Sequence, residues 1–300
     1  MIPLITNPVY SYDFPHKHRF PMEKFGLLHT YLQEQGIATR ANTFRPGKAK
    51  TELLALGHCP EYLQRFITGT LSAKEERRMG LPWSEGLLRR TLISPNGTFL
   101  TAQLALKNGI ACHLAGGTHH AHYDFASGFC ILNDLAVTAK ALIKLGKVKR
   151  VLIFDCDVHQ GDGTATILQN DPDVFTCSVH CDKNFPARKA QSDLDVDIAK
   201  GTTDEAYLTT VVDTFCQLLT QFKPDLVLYD AGVDIYKDDP LGLLNISLQG
   251  ITQRDRHVLM LCKQANVPVT TVIGGGYDND RLALAKRHAI AVEQANLIFK

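Results

Sequence analysis

The strongest constraint on the fold is an alternation of short apolar runs with longer helical patterns in the second two-thirds of the chain. The apolar runs lie at Val148–Phe154, Val174–Val179, Asp225–Tyr229 and Val267–Ile273. They are almost continuously apolar, which is typical of strands in a parallel sheet that is covered on both faces. Helical patterns occupy Leu132–Leu145, Asp204–Phe222, Thr252–Ala265 and Arg281–Phe299. This order predicts an α/β protein with right-handed crossovers, either doubly wound or barrel-like.

The first hundred residues are less regular than the rest of the chain. Pro21–Gln35 and Pro60–Arg78 have helical patterns, and Pro and Gly interrupt the region in PGK at 46, GLPW at 80 and SPNG at 94. There is no Ser- or Gly-rich linker and no internal repeat. We therefore predict one domain over residues 1–300, with long loops in the first half that shape the entrance to a site.

The charge and cysteine content exclude several classes of protein. Lys and Arg number 32 and Asp and Glu 31, a net charge of +1, so neither nucleic acid nor an anionic membrane is an expected partner. No apolar run is long enough to span a bilayer, and the first residues do not resemble a secretory signal. The eight cysteines contain no CxxC pair and indicate free thiols in a reducing, cytoplasmic setting. A small metal site at Cys177, His180 and Cys181 lacks an evident fourth ligand.

The most informative segment is LIFDCDVHQGDG, which begins in the strand predicted at Val148–Phe154. Asp155, Asp157 and His159 occupy alternate positions just after it, so their side chains are expected to point the same way. Ligands bind at the carboxyl ends of strands in open α/β sheets. Mixed Asp and His ligation suits Zn²⁺ or another divalent transition metal. The alternative is that the carboxylates cap backbone amides of the following loop.

A second cluster of polar residues lies in GGTHHAHYDFASG. His119 and His120 follow two glycines, and adjacent residues of a loop do not easily coordinate the same ion. Two imidazoles beside an activated water suit the roles of general base, general acid or electrostatic partner. His122 is interpreted as an exposed loop residue.

Two further clusters follow later strands. Asp230 ends one strand, and Asp234 follows it in a Gly-containing loop where it could complete a three-ligand metal set. Asp238 and Asp239 are interpreted as solvated turn residues. In IGGGYD, the Gly-rich backbone after a strand allows a substrate to approach it closely. The phenol of Tyr277 could donate a hydrogen bond to an oxyanion there. Nucleotide binding is not favoured because GxGxxG is absent.

Taken in order, these motifs resemble the histone deacetylase family of zinc-dependent amidohydrolases. They are GGTHHAHYDFASGFCILND, DCDVHQGDG, DAGVD with DPLG, and GGGYD. HQG, where many members have HHG, together with the short chain, is similar to the class IV branch and its bacterial relatives. The resemblance implies the arginase–deacetylase fold, a three-layer α/β/α structure with a mainly parallel central sheet.

The resemblance also implies a metal content. Asp157, His159 and Asp234 match the family's zinc ligands, which implies one Zn²⁺ per chain. Asp155 and Ser178 fall where the family places a structural potassium ion, coordinated largely by backbone oxygens.

Catalytic roles carry over in the same way. His120 matches the histidine that acts as general base and acid, and His119 matches its electrostatic partner. Asp155 and Asp162 match the carboxylates that orient His119 and His120 respectively. Tyr277 matches the tyrosine that joins zinc in polarising the acyl carbonyl.

The substrate channel is assigned by the same resemblance. Gly128 and Phe129 match one wall of the channel that receives the acyl-lysine stem, and Phe185 matches the opposite aromatic wall. The segment NFPARK around Phe185 departs from the family's Gly-rich loop.

The implied activity is zinc-dependent removal of acetyl or related acyl groups from lysine side chains or similar amines. The sequence leaves the substrate open among acyl-lysine proteins or peptides, acetylpolyamines and small acylated metabolites, and it does not indicate an oligomeric state. A di-manganese ureohydrolase shares the fold but needs more metal-bridging carboxylates than are evident here. A non-catalytic acyl-lysine binding module would not need the complete set of ligands, bases and Tyr277.

Overall fold

A parallel sheet forms the centre of the molecule in the computed structural model, which describes residues 1–15 and 17–300. Within those residues, the sheet has eight strands. They are β1 (Leu4–Ile5), β2 (Thr43–Phe44), β3 (Ile110–His113), β4 (Val151–Asp155), β5 (Val174–Cys181), β6 (Leu194–Ile198), β7 (Leu226–Asp230) and β8 (Val269–Val272). Their order across the sheet is β2-β1-β3-β8-β7-β4-β5-β6, and neighbouring strands pair in parallel.

Helices cover both faces of this sheet, and a short 3₁₀ helix at Pro8–Tyr10 follows β1. The α-helices of the described residues are α1 (Lys24–Glu34), α2 (Thr51–Leu54), α3 (Pro60–Ile67), α4 (Ala73–Met79), α5 (Glu85–Asn108), α6 (Asp134–Lys144), α7 (Asp162–Leu168), α8 (Asp204–Gln221), α9 (Leu248–Gln264) and α10 (Arg281–Ile298). No helix among them is both long enough and apolar enough to cross a membrane.

Alternate residues of the central strands serve separate hydrophobic cores. In β4, Phe154 packs against Phe215 of α8, with ring centroids 4.5 Å apart, in the core that also includes α1, α9 and α10. Val151 and Ile153 join the core on the other face, with residues of α5 and α6. Because both faces are buried, β4 needs an apolar side chain at every position up to Asp155. The three-layer architecture that the family resemblance implies is confirmed.

All four predicted strands and the helices between them are present, with ends shifted by a few residues. On α8, the predicted apolar stripe faces the sheet through Val211, Phe215 and Leu218, which are buried. The strands β1, β2, β3 and β6 were not predicted. Three of them have only two to four residues, and β6 alternates apolar and acidic residues, a strand pattern different from the continuously apolar runs of the central strands.

In the first hundred residues, one predicted helix and one predicted interruption are wrong. The segment Pro60–Arg78 forms two helices, α3 and α4, instead of one. Gly69, which has a left-handed backbone conformation, follows the end of α3. Ser72 then begins α4 by forming a reciprocal capping box with Glu75. The SPNG segment at 94 is no break but lies inside α5, with Pro95 in the helix interior. Packing of α5 against α6, β3 and β8 outweighs the hydrogen bond that Pro95 cannot donate.

The cysteines are free thiols, as predicted. Cys177 and Cys181 are buried on β5, and the intervening His180 contacts Ser178 and Asp197 instead of the thiols. Among the described residues, no group that could hold a metal includes these cysteines. They are therefore buried strand residues.

The sheet order brings the sequence motifs together. Strands β3, β8, β7 and β4 are consecutive neighbours, and each carries one motif directly after its carboxyl end. Four segments that are far apart along the chain therefore meet at one edge of the sheet, where α/β proteins bind ligands.

Candidate active site

A buried group of two carboxylates and one imidazole lies at this edge. The His159 Nδ1 atom lies 3.0 Å from Asp157 Oδ1 and 3.1 Å from Asp234 Oδ2. The second oxygen of each carboxylate is held by the backbone: Gly275 N donates to Asp157 at 2.6 Å, and Val158 N donates to Asp234 at 2.9 Å. The three ligand atoms thus face one another while the backbone fixes the carboxylates from behind.

The donor set fits a zinc ion. Tetrahedral coordination with bonds of about 2.0–2.1 Å places ligand atoms about 3.3 Å apart, close to the spacing observed here. Burial opposes a charge on His159, but the carboxylates of Asp157 and Asp234 outweigh it and raise the pKa of the imidazole to about 10. This rise shows that the two carboxylates create a strong demand for positive charge, which a divalent ion satisfies better than a proton.

Gly275, the middle of the three glycines that follow β8, passes directly beside the metal-capable group. A Cβ atom at this position would lie 2.1 Å from Asp234 Oδ2 and 2.5 Å from Asp157 Oδ2. Any side chain at position 275 would therefore displace the carboxylates, so the close approach of the backbone is a condition for this metal-capable group.

The strand alternation inferred from the sequence holds only in part. Strand β4 ends at Asp155, and the chain then bends, so Asp155 and Asp157 do not serve the same group. Asp155 Oδ2 lies 2.7 Å from His119 Nδ1, and its other oxygen accepts a hydrogen bond from Asp157 N at 3.0 Å. Asp155 therefore orients His119 and the ligand loop together.

The adjacent histidines each have a carboxylate partner. His120 Nδ1 lies 2.6 Å from Asp162 Oδ1, matching the contact of His119 with Asp155. The two imidazole centroids are 4.1 Å apart, and His119 Nε2 approaches Asp157 Oδ1 to 3.8 Å. The structure thus places both histidines beside the metal-capable group without making either part of it.

The two histidines differ in charge. Burial opposes protonation of His119, but Asp155 and Asp157 outweigh it and raise its pKa well above the usual range. Burial, together with the neighbouring positive His119, lowers the pKa of His120 to about 4. Although burial disfavours a charged Asp162, hydrogen bonds from His120 and His122 keep the pKa of this carboxyl below its ordinary value. His120 is therefore a neutral imidazole whose Nδ1–H points to Asp162 and whose Nε2 is free to accept a proton.

His122 is also part of this network. Its Nε2 atom lies 3.2 Å from Asp162 Oδ2, and its Nδ1 lies 2.9 Å from the hydroxyl of Thr166. The ring stacks on Phe125 with centroids 4.2 Å apart, and the side chain is only 15% exposed. The interpretation of His122 as an exposed loop residue is wrong, because helix α7 brings Asp162 and Thr166 up against it.

Tyr277 lies beside the metal-capable group and is held by an acid that the sequence analysis placed in solvent. Its backbone N donates to Asp239 Oδ2 at 2.7 Å, while Asp239 Oδ1 accepts from Leu241 N at 2.9 Å. Asp239 is buried, so its interpretation as a solvated turn residue is wrong. Burial, reinforced by the charge of Asp234, raises the pKa of Asp239 to about 7.

Lys24 is a further polar residue of the site that the sequence analysis missed. Its Nζ donates to the carbonyl oxygens of Gly274 and Gly276 at 3.3 Å each and lies 5.8 Å from the ring centroid of Tyr277. Burial lowers its pKa to about 8. A single lysine in an amphipathic helix gives no sequence signal of this burial, because lysines usually face solvent.

Asp230 is buried at the end of β7, and neither of its carboxylate oxygens has a hydrogen-bond partner among the described residues. Burial and the nearby Asp155 raise its pKa well above the ordinary value. Asp230, His119 and Asp155 have ligand atoms within 4.8 Å of one another. The contact of His119 with Asp155 already satisfies both groups, so this second cluster is less suited to a metal than the first.

The predicted channel residues line a cavity of about 600 Å³ that opens to solvent above His120 and His159. The Phe129 ring lies 6.0 Å from that of Tyr277, and the Phe185 ring meets His120 edge-on at 4.8 Å. Gly128 passes so close to His120 that a Cβ atom would lie 2.6 Å from its Cδ2. The cavity thus has aromatic side chains on both sides and polar atoms at its base.

Ser178 lies opposite Asp155 in the register of β4 and β5. Its hydroxyl contacts His180 Nδ1 at 3.0 Å. The two residues are therefore neighbours, as the resemblance implies, and the potassium site stays a prediction.

The fold and this site define an amidohydrolase of the arginase–deacetylase type. Residues 18–292 match the histone deacetylase domain. The chain therefore belongs to the histone deacetylase family.

Several relatives extend over most of the chain. An uncharacterised protein of Picosynechococcus sp. is 47% identical over 297 residues, covering 99% of both chains. Histone deacetylase 2 of Arabidopsis thaliana is 30% identical, covering 87% of this chain and 70% of its own length. The acetoin utilization protein AcuC of Staphylococcus aureus is 31% identical, covering 91% of this chain and 76% of its own.

Two solved structures share the fold. The HDA15 HD domain superposes with a TM-score of 0.80 at 19% identity, covering 99% of this chain and 90% of that one. A histone deacetylase homologue complexed with SAHA superposes with a TM-score of 0.82 at 22% identity, covering 99% and 88% respectively. These likenesses confirm the arginase–deacetylase architecture.

Proposed function

We propose that this protein is a zinc-dependent deacylase that removes acetyl or related short acyl groups from lysine side chains. The observation that carries the proposal is the convergence of Asp157, His159 and Asp234 beside a neutral, carboxylate-oriented His120 at the base of an aromatic channel. When bound by these ligands, zinc polarises the amide carbonyl and lowers the pKa of a water molecule.

His120 carries out the proton transfers as general base and then general acid. Its free Nε2 accepts a proton from the attacking water as the new C–O bond forms, and Asp162 stabilises the resulting imidazolium. His120 then returns the proton to the departing amine as the C–N bond breaks. His119, held by Asp155, keeps positive charge beside the reacting carbonyl and keeps the pKa of His120 low.

Tyr277 supplies the remaining donor. Burial raises the pKa of its phenol well above the ordinary value, so the hydroxyl keeps its proton at neutral pH. A neutral phenol can donate to the oxyanion of the tetrahedral intermediate, where charge develops during the reaction. A module that only binds acyl-lysine forms no oxyanion and would not need this donor.

The channel supports a lysine stem as the leaving amine. An aliphatic stem packs between Phe129 and Phe185 while its polar end reaches His120 and Tyr277. The principal alternative substrate is an acetylpolyamine, whose stem is also aliphatic but which carries further positive charges.

A substrate panel on zinc-loaded protein tests this proposal. We expect hydrolysis of acetyl-lysine peptides, with liberation of one acid and one free amine per turnover, and no activity in His120→Ala. Peptides with propionyl and longer acyl groups measure the depth of the site, and acetylated polyamines test the alternative. Binding of acyl-lysine peptides without hydrolysis by the zinc-loaded protein would contradict the deacylase proposal.

A further inference from the structure

The outer rim of the channel is basic. Four cationic side chains line the cavity above His120 and His159, and no Asp or Glu is among its described lining residues. They are Arg19, Arg77, Arg78 and Lys183. All four are exposed, so their charges face the space through which a substrate enters.

This clustering is not a consequence of composition. The chain as a whole has 32 basic and 31 acidic residues, close to neutrality. The rim residues come from three separate segments: the loop before α1, the end of α4, and the loop after β5. The fold therefore gathers positive charge at this mouth from distant parts of the chain.

Little of this charge is neutralised within the protein. Arg77 and Arg19 form no ion pair among the described residues, and Arg78 stacks its guanidinium 3.7 Å over the Phe125 ring. Lys183 pairs with Asp182 at 3.2 Å, but this lysine is 70% exposed, so the pair is screened by water. At least three cations are therefore available to a ligand at the mouth.

The position of these cations at the channel mouth makes them able to select among substrates. When an acyl-lysine stem lies between Phe129 and Phe185, the residues flanking that lysine must lie across the rim. Negative charges there are attracted by the arginines, and positive charges are repelled.

We infer that the basic rim selects acyl-lysine substrates whose flanking residues are acidic, and that it disfavours lysine-rich segments and acetylpolyamines. The inference rests on the proposed deacylase function and names the class of protein substrate that this site prefers. Because the interacting groups are exposed, the preference is electrostatic and sensitive to salt.

Three acetyl-lysine peptides of equal length test the inference, with two Asp, two Ala or two Lys residues on each side of the acetyl-lysine. At low salt we expect kcat/KM for the acidic peptide to exceed that for the basic peptide by about tenfold or more, since several exposed charges each contribute a small factor. The ratio should fall toward one in 0.5 M salt, about the concentration at which surface charges are strongly screened. Equal kcat/KM for all three peptides at low salt would overturn the inference.

Variants assign the effect to the rim. The double variant Arg77→Glu, Arg78→Glu should reverse the order of the acidic and basic peptides, mainly through KM, with circular dichroism and zinc content verifying that the variant is folded and loaded. Arg256→Glu, an exposed arginine of α9 that does not line the cavity, is the matched control and should preserve the wild-type order. A double variant with unchanged order would contradict the assignment to the rim.

Binding of fluorescently labelled versions of the same peptides separates the two proposals. If no peptide is hydrolysed but the acidic one binds more tightly, the deacylase proposal fails and the charge preference stands. If the Ala-flanked peptide is hydrolysed but neither rate nor binding depends on flanking charge, the deacylase proposal stands and the inference about the rim is wrong.

Discussion

Asp162 lies 2.6 Å from His120 Nδ1, so the carboxylate and the imidazole are joined by a short, buried hydrogen bond. This contact fixes the proton on Nδ1 and leaves Nε2 as the atom that faces the cavity. The single residue Asp162 therefore decides whether His120 can act as a base.

Asp162→Asn should lower kcat by about a hundredfold or more, the scale of a lost general base. The amide can donate to Nδ1, which moves the imidazole proton to Nε2 and blocks proton acceptance. Steady-state kinetics on an acetyl-lysine peptide and zinc content measure the effect, and zinc should remain. Asp173→Asn, an exposed acid in the turn just before β5, is the control. Full turnover in Asp162→Asn would show that Asp162 does not set the proton position.

His122→Ala should lower kcat about tenfold or less, since it removes one hydrogen bond to the charged Asp162. His122→Gln should recover most of the activity, because its amide can donate to the same oxygen. The neighbouring Tyr123 is exposed, and Tyr123→Ala should be nearly silent. If His122→Ala matched the wild type in kcat and in its pH profile, His122 would have only a packing role.

Tyr277→Phe should lower kcat by about a hundredfold, the usual effect of losing one oxyanion donor. The KM should change much less, because the ground-state carbonyl gains little from this donor. Kinetics and zinc content measure both parts, with Tyr123→Phe as the control. An equal loss in kcat and zinc content would indicate that the phenol maintains the site instead of stabilising the oxyanion.

Acid should destabilise the fold partly through His58. This fully buried imidazole accepts a hydrogen bond from Asn133 N at 2.7 Å and contacts the carbonyl of His122 at 3.0 Å, and burial lowers its pKa to about 4. The unfolded chain binds the proton more readily, so this stabilisation is present above pH about 6.5 and is lost as the pH falls toward 4.

The corresponding measurement is the melting temperature between pH 7.5 and 5. A pKa lowered from 6.5 to about 4 limits the His58 contribution to about 3 kcal/mol, of which about 2 kcal/mol is lost between pH 7.5 and 5. His58→Gln keeps a hydrogen-bond acceptor but does not titrate, so its melting temperature should depend less on pH than that of the wild type. Parallel pH curves for the two proteins would exclude His58 as a source of acid instability.

The sequence was sufficient for the parts of the structure that are encoded locally. The strands β4, β5, β7 and β8 each lie in an almost continuously apolar run, and three of these runs lead directly into a polar motif at the same sheet edge. Parallel topology then brings Asp157, His159 and Asp234 together without further information.

The residues that the sequence analysis misjudged depend on long-range contacts. Asp239 is buried and accepts a hydrogen bond from the backbone N–H of Tyr277, 38 residues later. Lys24 contacts Gly274 across a separation of 250 residues. His122 differs from an ordinary loop histidine only through Asp162 and Thr166 on α7. The sequence near each residue does not indicate these distant partners. Polar residue type alone therefore favoured exposure to solvent.

Elemental analysis of the purified protein tests the central claim most directly. We predict about one zinc ion per chain in the wild type and in the exposed-acid control Asp173→Ala, and nearly none in folded Asp157→Ala or Asp234→Ala, with deacylation lost in parallel. Circular dichroism verifies that each variant is folded. Full zinc occupancy in both ligand variants, or two tightly bound manganese ions per chain in the wild type, would contradict the account.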